Sequence, residues 1–286
     1  MGWNILGKEE TTKIKVGTGR FRYKMAMETA LTLGNTSFAS TLNYQWDVFI
    51  HESTEDHYRI SLLTLEHSMI ESTNPALNDV FMATKTMMEM FNEVQVLVSK
   101  KGDVLDILNA RDILNRYQRI SKQVISLTGG VSMPVNKIYN VPLQDVQEKP
   151  RLIKMIQAME FFEVFFSTIY GRTEHADFRK QRMNNMRNLE YELVFKITTD
   201  YNKQPGKSQR LTVQGKSTGI GESTLKKVFG EMPFVAGQPL RFDGTYNGTY
   251  LVNNNTGLLD KAEVKISEFI CPMLQGHTTY HLQQLS

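Results

Sequence analysis

The residues most able to do chemistry are scattered along the chain, and their spacing decides how far each can be read. Gly215-Lys216-Ser217-Thr218 has the closing residues of a phosphate-binding loop. Such a loop needs a glycine five positions before that glycine, joining a strand to a helix so that backbone N–H groups converge on phosphate. Arg210 stands there, Leu211-Thr212-Val213 reads as strand, and Gly219-Ile220-Gly221 continues as loop. An ordinary strand end followed by a glycine-rich turn is the better reading. The six histidines are His51, His57, His67, His175, His277 and His281. Metal sites favour tight pairs such as i, i+4 on a helix, joined by carboxylates or thiolates. His51 and His57 straddle an acidic turn, and His277 and His281 fall in what reads as a polar C-terminal tail. Surface histidines are expected, with no metal and no cofactor.

Nucleophilic catalysis finds no support either. No G-x-S-x-G elbow is present, and Cys271 lies between Ile270 and Pro272, a place for a small buried thiol. Asp103 and Asp106 flank a turn and read as solvated. The basic run at 171–188 is diluted by Glu174 and Asp177 and reads as a linker. The expectation is a protein without catalytic residues.

Composition narrows the class. In 286 residues, 33 basic and 30 acidic side chains leave a net charge of +3, without the dense basic stripe of a nucleic-acid binder. A single cysteine forbids an internal disulfide, and no long apolar run follows a basic N-terminus. A cytoplasmic protein with no membrane span is expected.

The elements that must position these residues are clearer than the residues themselves. Phe21, Tyr23, Met25 and Met27 alternate with Arg20, Arg22, Lys24 and Glu28; Leu189 to Ile197 repeats the beat against Glu190, Glu192 and Lys196. A period of two gives strands that bury one face and wet the other. Between the two strand blocks lie three expected helices: from Asn74-Pro75 to about Phe91, from Asn109 to Thr128, and from Arg151 to Tyr170. The last is broadly apolar, as suits a helix between layers. The fold class is therefore α+β, a curved and mainly antiparallel sheet built from N- and C-terminal strand blocks and packed against the helical middle. A boundary is expected near residue 180, dividing 1–180 from 181–286, with one sheet shared by both parts.

The function expected from these features is protein–protein binding, as an adaptor, chaperone or immunity-type accessory protein, possibly linked to a bacterial secretion system. Tyr23, Tyr44, Trp46, Tyr246 and Tyr250 would supply its docking surface. The alternative is a carrier of an apolar ligand such as a lipid, with Met25, Met27, Phe161, Phe165 and Phe166 lining a half-barrel cavity.

Overall fold

The computed structural model describes residues 16–73, 76–128, 143–166, 168–172, 177–186, 188–200 and 208–285. The alternating segments become the strands β1 (Gly19–Leu33), β2 (Thr36–Ser53), β3 (His57–Ser72), β4 (Glu93–Ser99) and β5 (Val104–Ile107). After the helical region come β6 (Phe178–Met183), β7 (Glu190–Asp200), β8 (Gln209–Ser217), β9 (Asp243–Val252), β10 (Leu259–Cys271) and β11 (Leu274–Leu285). They form one open sheet in the order β5-β4-β3-β2-β1-β11-β10-β9-β8-β7-β6, antiparallel at every pairing.

The central seam is β1 against β11, with Met25 opposite Leu282 and Met27 opposite Tyr280. The stretch after Leu274 is thus a strand in the middle of the sheet, not the polar tail its composition suggests. Its inward residues are Gly276, Thr278, Tyr280 and Leu282, only two of them strongly apolar, so its alternation is faint in the sequence.

The helices are α1 (Ala76–Met88), α2 (Ala110–Thr128), α3 (Leu143–Gln147), α4 (Lys149–Gln157), α5 (Glu160–Phe165) and α6 (Glu222–Phe229). Asn74, Pro75 and the segment 129–142 lie outside the described residues. On α2, Ile113, Tyr117 and Ile120 are buried at helical spacing. Asn109 does not cap α2 with its side chain. Its amide bridges to β4, accepting from Gln95 N and donating to the Glu93 carbonyl.

The expected long helix from Arg151 to Tyr170 is two short ones. Met159 sits in extended backbone at φ −65° and ψ 142°, turning the chain between α4 and α5. Phe161, Phe162, Phe165 and Phe166, on α5 and at its end, are all fully buried. Redirected, α5 sets Phe161 edge-on to Tyr23 and Trp46, and Phe165 edge-on to Tyr23. Phe166 reaches Tyr58 on β3. These rings join the helical layer to the middle of the sheet.

The opposite face of the sheet is wet, as β10 illustrates. Ala262, Val264 and Ile266 are buried, while Lys261 and Lys265 are exposed. One group on that face is hidden. Asp47 on β2 lies beneath Arg20 and Arg22 of β1, with Arg22 Nε 2.7 Å from its carboxylate. The hydrogen bond from Arg22 foremost holds its pKa down to about 2.

Candidate functional site

The supposed linker holds the residues that matter most. β6 is the edge strand there, pairing with β7 so that Phe178 faces Phe195, Lys180 faces Leu193 and Arg182 faces Tyr191. Cross-strand partners share a face. Leu193 and Tyr191 are buried, so Lys180 and Arg182 point inward too. A strand with cations on its covered face breaks the expected apolar–polar alternation, which is why the segment reads as a linker.

Between this edge and the helices α4 and α5 lies a cleft of about 460 Å³. Ile153, Ala158, Phe195, Met183 and Tyr246 supply its apolar walls, and Lys180, Arg182 and Glu163 its inner charges. Lys154 and Gln157 of α4, together with Asp103, Thr168, Gln181 and Glu190, complete the lining.

Arg182 is paired with two carboxylates. Its Nε donates to Glu163 at 2.6 Å and its Nη1 to Glu268 at 2.7 Å, to the Met183 carbonyl at 2.9 Å and to Tyr191 Oη at 3.2 Å. Glu268 accepts further from Tyr191 Oη and from the Asn185 N–H. Burial works against the guanidinium's charge, but the neighbouring carboxylates prevail and its pKa stands well above the ordinary value. For Glu268 burial prevails and raises the carboxyl. A buried, fully bonded ion cluster of this kind fixes geometry rather than offering a free charge.

Lys180 differs. It is half-buried and, among the described residues, makes no hydrogen bond or ion pair. Burial lowers its ammonium pKa, while Glu163 and Asp103 act on it through space in the opposite sense. Behind the cleft, Thr168 Oγ1 donates to Tyr250 Oη at 2.9 Å, and Tyr250 and Tyr246 share a hydroxyl contact of 2.5 Å. That chain satisfies both phenols inside the core.

No family model and no curated protein sequence matches the chain. Among solved structures it is similar to the protein of a study titled "Lipid-protein interactions in lipovitellin", with 10% identity and a TM-score of 0.42 over 96% of this chain. It spans only 25% of that chain's length. A domain described as an outer membrane lipoprotein-sorting protein from Vibrio parahaemolyticus aligns at 10% identity over 93% of this chain and 84% of its own, with a TM-score of 0.16. Both scores are too low to bear on function.

The aromatic residues expected to form a docking surface are all buried. Tyr23 and Tyr250 are at 0% exposure, Trp46 and Tyr246 at 2%, and Tyr44 at 7%. They face the helices because the apolar side of each strand is the covered side. The expected cavity set is brought together but filled. Met25, Phe161, Phe165 and Phe166 are buried and Met27 packs beside them. Phe161 stacks on Phe165 at 5.0 Å, leaving the actual cleft to their side, toward β6.

The other sequence candidates below lie outside the lining of the cleft. Gly215 lies within β8, where the ring of Phe195 covers it, and Lys216 and Ser217 continue the strand. His51 bonds Ser61, His57 bonds Thr54 and His277 bonds Ser267. No cluster of histidine, cysteine or carboxylate able to hold a metal occurs among the described residues. Cys271 is buried.

Two further hollows are formed by described residues. One of about 270 Å³ is lined by Tyr44, Trp46 and His67, whose rings stack at 5.1 and 4.5 Å. Nε2 of His67 is buried there without a hydrogen-bond partner among the described residues. The other, about 730 Å³, runs along the ends of β1, β2, β3 and β11 and is lined mainly by polar residues such as Thr29, Thr41, Ser72 and Thr279. No helix among the described residues is long and apolar enough to cross a membrane.

Proposed function

We propose that this is a non-enzymatic binding protein whose ligand is a small, largely apolar molecule held in the cleft between β6 and the helices α4 and α5. The observation that carries the reading is the cleft itself. Its 460 Å³ falls within the ~300–1,000 Å³ of small-molecule sites, and its walls are aromatic and aliphatic with a few polar groups placed inside. The buried Arg182–Glu163–Glu268 cluster supports it by holding the edge strand and α5 at a set separation. Arg182, Glu163 and Glu268 position the walls rather than react, because they are paired with each other.

A neutral fluorescent probe tests this directly. N-phenyl-1-naphthylamine should bind the protein at one saturable site, and Ala158→Trp, which fills the cleft wall, should weaken that binding at least about tenfold with an unchanged melting temperature. Absence of saturable binding, or equal binding by the filled variant, would contradict the reading.

A further inference from the structure

We propose that the cleft's ligand carries an acidic head group, and that the Lys180 ammonium anchors it. This rests on the binding reading above and names the chemistry of what is bound. Lys180 occupies the middle of β6, pointing inward opposite Leu193, in a cleft whose other inner cation is already satisfied. Glu163 and Glu268 both spend their carboxylates on Arg182 at 2.6 and 2.7 Å. Lys180 is thereby the inner charge of the cleft left without a bound counter-ion among the described residues.

Against Ile153, Ala158 and Phe195 an ammonium carries a desolvation cost that Glu163 and Asp103, acting through space, offset only in part. Lowering of its pKa by burial is consistent with that cost. A carboxylate entering head-first would meet the charge while its chain lay along the apolar wall. A charge-assisted hydrogen bond in so sheltered a place is stronger than one in water. Inward-pointing lysine on an edge strand has a second use, discouraging pairing with another sheet. That use makes no demand on ligand chemistry, so the two separate cleanly.

Decanoate and 1-decanol differ only in the head group. Displacement of the naphthylamine probe by each, at pH 7.5 on the full chain, gives the comparison. Decanoate should displace the probe at about a tenfold lower concentration than decanol. Lys180→Gln should erase that preference while leaving decanol unchanged, and Lys180→Arg should restore it. Equal displacement by both ligands in the unaltered protein would overturn the anchor and leave the cleft reading intact. Failure of the probe and both ligands to bind would overturn the two together. A Lys180→Gln protein that aggregates yet keeps the decanoate preference would assign the lysine to edge protection and overturn the anchor.

Discussion

His67 shows what a single residue contributes when its surroundings forbid its charge. It stacks on Tyr44 and meets Phe81 edge-on, with Nε2 buried and without a hydrogen-bond partner among the described residues. Burial foremost, and then Lys85, lower its pKa from 6.5 to about 4. Between those values the unfolded chain takes up a proton that the folded chain refuses. Stability should therefore fall as pH drops from 6.5 toward 4 and lose nothing further from this residue below that. After allowance for partial solvent screening the contribution is about 2 kcal/mol. Urea unfolding of the native chain and of His67→Phe, which keeps the ring stack but cannot titrate, should show the difference between them grow over that window. A constant difference across it would contradict the assignment. The sequence offered His67 only as one histidine of six, because stacking partners on β2 and α1 are far away along the chain.

At the scale of elements, the tightest joint is the β4–β5 turn against the segment after α5. Gly102 has φ +87°, and a Cβ there would stand 2.1 Å from the carbonyl oxygen of Phe166. Both the backbone conformation and the contact exclude a side chain. Gly102→Ala should cost about 2 kcal/mol or more, read as a lowered urea midpoint. An unchanged midpoint would mean that this joint does not hold the helical layer. The turn itself was legible, since Ser99-Lys100-Lys101-Gly102-Asp103 separates two alternating runs. What it packs against was not. The same limit applies to the cleft. Lys180 and Arg182 stand among charges that read as a solvated linker, and only their pairing with Leu193 and Tyr191 turns them inward. The break between α4 and α5 is invisible for another reason, because the apolar periodicity runs through it.

Across the whole molecule, two strand blocks far apart in sequence meet through β1 and β11, and the helices between them cover one face. The alternation in residues 19–72 and 189–271 made the antiparallel character plain, since each such strand has one dry and one wet side. The order of strands was hidden, because β11 is rich in Thr, Gln and His and shows little apolar beat. The aromatic residues Tyr23, Tyr44, Trp46, Tyr246 and Tyr250 lie buried between the sheet and the helices. The space left for a ligand lies where the helical layer approaches the edge strand. Methyl-labelled isoleucine and methionine report on that place most directly. On addition of 1-decanol, the methyl signals of Ile153 and Met183 should shift saturably, while those of the exposed Ile70 and Met82 stay in place. Shifts at Ile70 and Met82 with Ile153 and Met183 unmoved would contradict the account.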